Sequence, residues 1–302
     1  MVIKETTGDK VFNIVNVTLL TMLLLIVLYP LYFVVIASFS DPMAVNLGQV
    51  VWYPKGVRFL GYSMAYNYPD IWIGYRNTIV YASLGTLVHL CVNLPAAYAL
   101  SRRDFKGAGM ITVFFMVPMF FGGGLIPWYL LIINTLNWGN TVWAMIIPGA
   151  TGFYSLLVAR TFFRSTIPDE LRESAEIDGA SNVRVFLSIV LPLSTAIIAV
   201  QGLFSAVGHW NAFFNAFLFI SGREGASRRP LQLVLREILI LAQAQLVDRE
   251  SIVDPGDAQE LMDRMLQLRY AVIIVSVLPI LIVYPFVQRY FVKGVMIGAI
   301  KG

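Results

Sequence analysis

The stretch GAGMITVFFMVPMFFGGGLIPWYLLIINTLNWGNTVWAMIIPGATGFYSLLVA, Gly107 to Ala159, contains no Asp, Glu, Lys or Arg. A helix crosses a hydrocarbon layer of roughly 30 Å in about 20 residues, so this run is too long for a single span. Its polar, glycine-bearing middle, Asn134, Thr135, Asn137, Gly139 and Asn140, divides it into two spans joined by a tight loop. Charge-free runs also occupy Val11 to Ser40, Asn77 to Ser101, Val185 to Gly222 and Tyr270 to Gln288. Five runs therefore predict six transmembrane helices and an all-α integral membrane protein. Composition agrees, at 58% hydrophobic and 13% charged over 302 residues, against roughly 45 to 50% and about 25% in soluble domains.

The first run is preceded by Lys4 and Lys10 and holds the small residues Ala37 and Ser38. It is longer than the 7 to 15 apolar residues of a typical signal peptide, so it reads as an uncleaved first span. Lys and Arg then set the orientation. The amino terminus has Lys4 and Lys10, the second loop Arg102, Arg103 and Lys106, the fourth Arg160, Arg164, Arg172 and Arg184, and the carboxyl end Arg289, Lys293 and Lys301. All of these fall on one side, which places both termini in the cytoplasm. The expected divisions are an amino-terminal segment 1–10, a membrane domain 11–292 and a tail 293–302. Within the membrane domain lie a cytoplasmic loop at 165–184 and a long outer loop at 223–269.

The outer segment Asp41 to Arg76 is rich in Trp52, Tyr53, Tyr62, Tyr66, Tyr68 and Trp72, which suits an interfacial belt or stacking on a sugar. In the long outer loop, Leu231 to Leu246 is apolar except at Arg236 and Glu237. Two charges at the centre exclude a seventh span and predict an amphipathic outer helix.

Several chemistries are missing. A net charge of +4 spread over 22 Lys and Arg makes no basic stripe for nucleic acid. No Gly-Lys dipeptide occurs, hence no P-loop, and neither a Gly-x-Ser-x-Gly elbow nor a His-Glu-x-x-His zinc helix is present. The single Cys91 excludes a disulfide framework and a Cys-based metal site. No catalytic residue, cofactor or metal ligand is expected. Proton- or sodium-coupled carriers place ionisable groups at membrane depth, and here the spans hold only His89 and His209. Each of these can be a hydrogen-bonded structural residue or a substrate contact. Pro30, Pro95, Pro118, Pro127, Pro148, Pro192, Pro279 and Pro285 lie within the spans, where they bend helices.

The fourth loop reads Ser165-Thr-Ile-Pro-Asp-Glu-Leu-Arg-Glu-Ser-Ala-Glu-Ile-Asp-Gly-Ala-Ser181. Pro168 suits the first helical position, Asp169 and Glu170 complement the first-turn dipole, and Gly179 suits a left-handed cap. Ser181 can cap a second short helix ending at Leu191-Pro192. A solvated loop would leave Leu171, Ala175 and Ile177 wet, so the segment reads as a rigid helix, a glycine corner and another helix, projecting from the membrane with acidic residues on one side.

Glu173-Ser174-Ala175, then Asp178-Gly179, then Ile189-Val190-Leu191-Pro192 resembles the EAA motif of permease subunits of bacterial ABC importers, with Ser174 in place of the usual second alanine. Asn93-Leu94-Pro95-Ala96-Ala97-Tyr98-Ala99-Leu100-Ser101-Arg102 and Gln288-Arg289-Tyr290-Phe291-Val292-Lys293-Gly294 are similar to the MalG-type permeases of carbohydrate importers. Pro230-Leu231-Gln232-Leu233-Val234-Leu235-Arg236 resembles the LplC and YtcP branch, associated with complex oligosaccharides. The resemblance covers nearly the whole chain.

It implies a six-span MetI-like permease fold in the bacterial cytoplasmic membrane, importing an oligosaccharide by alternating access. The implied partners are a second homologous permease, two cytoplasmic ATP-binding subunits and an external solute-binding protein; nucleic acid is not among them. Glu173, Ser174, Ala175, Asp178, Gly179, Ile189, Leu191 and Pro192 would couple to an ATPase, and Lys293, Gly294 and Lys301 of the tail would contact it. His89, Asn93, His209, Trp210 and Asn211 are candidates for the sugar path, because Trp210 offers an aromatic face and Asn211 an amide. An interfacial anchor is the competing role for Trp210. A secondary sugar transporter, and an integral membrane enzyme acting on lipid-linked sugar, are the alternative readings.

Overall fold

In a computed structural model, the backbone of residues 6–247 and 255–299 is described, with the side chains of 6–240, 263–285 and 288. Every regular element among the described residues is a helix. Helix α1 (Thr7–Ser38) starts at a capping box: Asp9 N donates to Thr6 Oγ1, and Thr6 N donates to Asp9 Oδ2. After short α2 (Pro42–Asn46) and α3 (Leu60–Tyr66) comes α4 (Pro69–Ser101). It begins eight residues before the charge-free run, and Asp70 and Arg76 lie within its first turns.

The long run breaks where Asn134 to Asn140 predict, but each half is also bent. Helices α5 (Ala108–Phe120) and α6 (Leu125–Leu130), the latter extended by a π turn to Thr135, meet at 111° across Gly122-Gly123-Gly124. Helices α7 (Trp143–Ile146), extended by a 3-10 turn to Gly149, and α8 (Phe153–Thr166) meet at 48°. Then follow α9 (Asp169–Ile177), α10 (Asn182–Val185), α11 (Leu191–Leu193) and α12 (Thr195–Trp210). A π turn at Phe186–Val190 leads into Pro192, whose ring cannot sit over the carbonyl four residues back. At Ser194 the chain turns by 83°. The remaining elements are α13 (Phe214–Phe219), α14 (Gly222–Gly225), α15 (Leu231–Val247), a helix where one was expected, and α16 (Pro255–Ala299). Among the described residues three helices are long and apolar enough to cross a membrane, or up to six when each bent pair counts as one span.

One sequence expectation needs correction. Pro168 is the N-cap of α9, at φ −65° and ψ 140°, and Asp169 is the first helical residue; an extended ψ at proline hands the helix start to its successor. The glycine-containing tail continues as helix to Ala299, so Gly294 and Gly298 are helical.

The chain forms two compact units. In the unit of residues 1–68 and 237–277, Ile36, Ala44 and Val50 make a small core, Ser38 Oγ meets Tyr62 Oη at 2.7 Å, and Gln267 Nε2 donates to Ser40 O. Before Phe33, α1 is exposed throughout its described length, as expected of a helix solvated by lipid. In the unit of residues 69–236 and 278–302, the larger core joins α4, α8, α9 and the 185–197 segment through Leu94, Ala97, Tyr98, Leu156, Phe163, Ala175, Val185 and Val190.

Candidate functional site

The corner after α9 forms for local reasons. Gly179 sits at φ +78°, Ala180 N donates to Ala175 O and Gly179 N to Glu176 O, which is the Schellman pairing that closes a helix carboxyl end. Ser181 Oγ accepts Arg184 N at 3.4 Å and starts α10. Ala175 is 8% exposed and packs on the core, where Tyr98 stacks on Phe186 at 5.3 Å and meets Phe163 edge-on at 5.9 Å. A small residue at 175 thus lets α9 approach this aromatic floor. Ile189 and Leu191 are half-buried against the same core, whereas Pro192 is exposed. Ser174 turns its hydroxyl onto Glu170 O at 2.8 Å.

The opposite face of the corner is open. Ile177 is 87% exposed and Leu171 40%, and beside them Glu170, Glu173 and Asp178 are exposed. Apolar side chains ringed by carboxylates make a surface suited to a partner with an apolar groove and a basic rim.

An ionic network lies under this corner. Arg102 holds Asp104 with Nε on Oδ1 at 2.9 Å and Nη2 on Oδ2 at 2.5 Å, and its Nη1 donates to Asn182 Oδ1. Arg172 donates to Glu176 at 2.9 Å and to Asp104 at 3.4 Å, and Arg102 lies 3.8 Å from Glu176. The Arg102 guanidinium lowers the Asp104 carboxyl from 3.8 to about 2. Arg103 pairs with Asp169 at 3.5 Å, and Arg160 Nε donates to Leu100 O, satisfying a carbonyl of the last turn of α4.

Deeper in the same unit, α4, α8 and α12 share a buried polar cluster. Gln201 Nε2 donates to Ser155 O at 2.8 Å, which leaves its Oε1 to accept from His89 Nε2 at 2.9 Å and Asn93 Nδ2 at 3.3 Å. On this network, His89 carries its proton on Nε2. Thr151 Oγ1 donates to Asn93 Oδ1. The second histidine, His209, lies over Gly85 and Gly149: a Cβ on Gly85 would stand 2.3 Å from its Nε2, and one on Gly149 3.1 Å from its Cε1. Trp210 is buried, with Tyr75 edge-on at 6.3 Å, while Asn211 is exposed as the cap of α12. Of the path candidates, His89 and Asn93 are brought together, His209 and Trp210 lie elsewhere on the α12 contact, and only Asn211 is open.

At the other end of α4, Asn77 Nδ2 donates to Ser227 O and Arg229 O, Tyr81 Oη donates to Arg228 O, and Thr78 Oγ1 accepts Leu231 N. Arg102, Asp104, Glu176, Asn182 and Gln201 were not singled out by motif. The arginine served only as a topological charge and as the end of a resemblance, and a lone glutamine in an apolar run carries no spacing signal. In the tail, Lys293 and Gly294 fall within α16, and Lys301 lies outside the described residues. Among the described residues no group of His, Cys, Asp or Glu could hold a metal ion.

Known proteins share this architecture. A family model described as "Binding-protein-dependent transport system inner membrane component" matches residues 71–297. Protein LplC of Bacillus subtilis is 34% identical over 297 residues, covering 98% of this chain and 97% of its own. The polygalacturonan/rhamnogalacturonan transport system permease protein YtcP of the same organism is 32% identical over 273 residues, covering 90% and 92%. A crystal structure of a bacterial ABC transporter involved in the import of the acidic polysaccharide alginate contains a chain that superposes with a TM-score of 0.82. That chain is 28% identical, with 95% of this chain and 99% of that one covered.

Proposed function

Because the chain belongs to the family of binding-protein-dependent transport system inner membrane components, we propose that it is a permease subunit of an ABC importer that carries oligosaccharides. The subunit does no chemistry itself. Two ATP-binding subunits drive it, a second homologous permease completes the pathway, and an external binding protein delivers the sugar. YtcP, named for polygalacturonan/rhamnogalacturonan transport, and the alginate importer support a carbohydrate chain as substrate. The observation that carries the coupling role is the α9 corner: Ala175 anchors it inward while Leu171, Glu173 and Ile177 face out. In this reading α9 is the coupling helix, it lies in the cytoplasm with both termini, and the tail beyond residue 292 reaches the ATPases.

Import then requires only that the partners bind inward- and outward-open states with different affinity. His89, Asn93 and His209 fasten α4 to α12, and Trp210 and Asn211 remain candidates for sugar contact. The test is uptake of labelled oligosaccharide into proteoliposomes holding all subunits and the binding protein. We expect uptake to need ATP and to ignore ionophores; uptake abolished by ionophores and indifferent to ATP would replace this reading with a secondary carrier.

A further inference from the structure

We propose that Arg102 is the positioning residue through which the coupling helix moves α4, so that α4 transmits nucleotide-driven closure to its own far end, at the 227–231 segment. This inference rests on the permease reading above. Arg102 directly follows the last residue of α4, and its single guanidinium reaches three separate places. It clamps Asp104 two residues on, donates to Asn182 at the start of α10, and stands 3.8 Å from Glu176 near the end of α9. Arg172 closes the ring by bonding both Asp104 and Glu176.

Two guanidiniums and two carboxylates make this ring neutral. Glu170, Glu173 and Asp178 are therefore left to face the partner, and the ring itself has no excess charge to offer one. The guanidiniums are also the covered members, at 16% and 17% side-chain exposure, against 46% and 42% for the two acids. A planar fork bonded on several edges fixes orientation as well as distance, which a lysine cannot reproduce.

The helix behind it suits transmission. α4 has 33 residues and is about 50 Å long. Its Arg102 end packs Tyr98 and Leu100 into the floor under α9, its middle holds Gln201 of α12, and its far end holds the 227–231 segment by Asn77, Thr78 and Tyr81. A push on α9 and α10 thus has an apolar route and an ionic route into one unbroken helix.

The measurement is sugar imported per ATP hydrolysed, per assembled complex, in proteoliposomes. Complexes carrying Arg102→Ala, Arg102→Lys, Asn182→Ala and the double Arg102→Ala/Asn182→Ala variant are compared with wild type and Gly179→Val. We expect Arg102→Ala to lower the ratio at least tenfold while ATP hydrolysis continues, Arg102→Lys to lower it less, and the double variant to match Arg102→Ala, because both residues act through one contact. An unchanged ratio in Arg102→Ala, with wild type active and Gly179→Val dead, overturns the inference and leaves the permease reading intact. So does a loss confined to complex yield. Absence of ATP-dependent uptake by wild type strikes the permease reading itself.

Discussion

At the Arg102 end of α4 the contacts are ion pairs and partly exposed, whereas at the Asn77 end Asn77, Thr78 and Tyr81, joined by Arg76, bond backbone groups of the 227–231 segment. Asn77 and Thr78 are buried, at 7% and 0% exposure. Exposed ion pairs each contribute about 0 to 1 kcal/mol and exchange partners readily. A buried donor or acceptor that loses its partner costs about 1 to 3 kcal/mol. The first end is thus fixed by the geometry of a multiply bonded guanidinium at little cost in energy, and the second by burial.

The comparison can be broken at its middle. Gly85→Val drives a branched side chain into the buried His209 ring, where even a single Cβ lies 2.3 Å away. We expect the largest effect here, with assembled complex largely lost on size-exclusion chromatography; overpacking of about 1 to 3 kcal/mol is a lower bound when the colliding group cannot leave. Normal yield would show that α4 and α12 can separate.

Gly179→Val comes next. A β-branched residue at φ +78° is strained by about 1 to 3 kcal/mol. No neighbour lies within 4 Å of the added Cβ. The cost therefore falls on the corner rather than the core, and we expect a complex that assembles and melts near the wild-type temperature but fails to import.

Gln201→Leu strands His89 and Asn93 together, and we expect about 1 to 3 kcal/mol of destabilisation by denaturant or thermal unfolding. Matching stability would mean that the cluster contributes position and little energy.

Asp104→Asn should have the smallest effect, under about 1 kcal/mol at neutral pH. The Asp104 carboxyl, held at about 2 by Arg102, contributes fully above its ordinary value of 3.8, and the contribution is lost progressively as pH falls from there through about 2. Melting should therefore show no response from this pair between about pH 5 and about pH 8, and a response there would place its pKa elsewhere.

Much of this was open to reading from residue order alone. The break at Asn134 to Asn140 and the left-handed corner at Gly179 follow from local backbone chemistry, so both could be read locally. The start of α4 could not, because Asp70 and Arg76 sit within helical turns that a search for charge-free runs excludes. Nor could the 111° bend at Gly122 to Gly124 be told from a straight, glycine-containing span. The corner between α9 and α10 was legible as a motif, but its anchoring by Arg102 and Asn182 joins residues 80 apart in the chain. Gln201 pairs across 112 positions with His89, and an amide has no periodicity to betray it.

The seating of His209 over Gly85 and Gly149 has a consequence for how such chains diverge. Three positions on separate segments share one small volume, so they cannot drift independently. A lineage that acquires alanine or serine at 85 should already have lost the imidazole at 209, and a return of the imidazole should await glycine. Across an alignment of relatives, columns 85, 149 and 209 should change as a set, with their summed side-chain volume nearly constant while neighbouring lipid-facing columns vary freely.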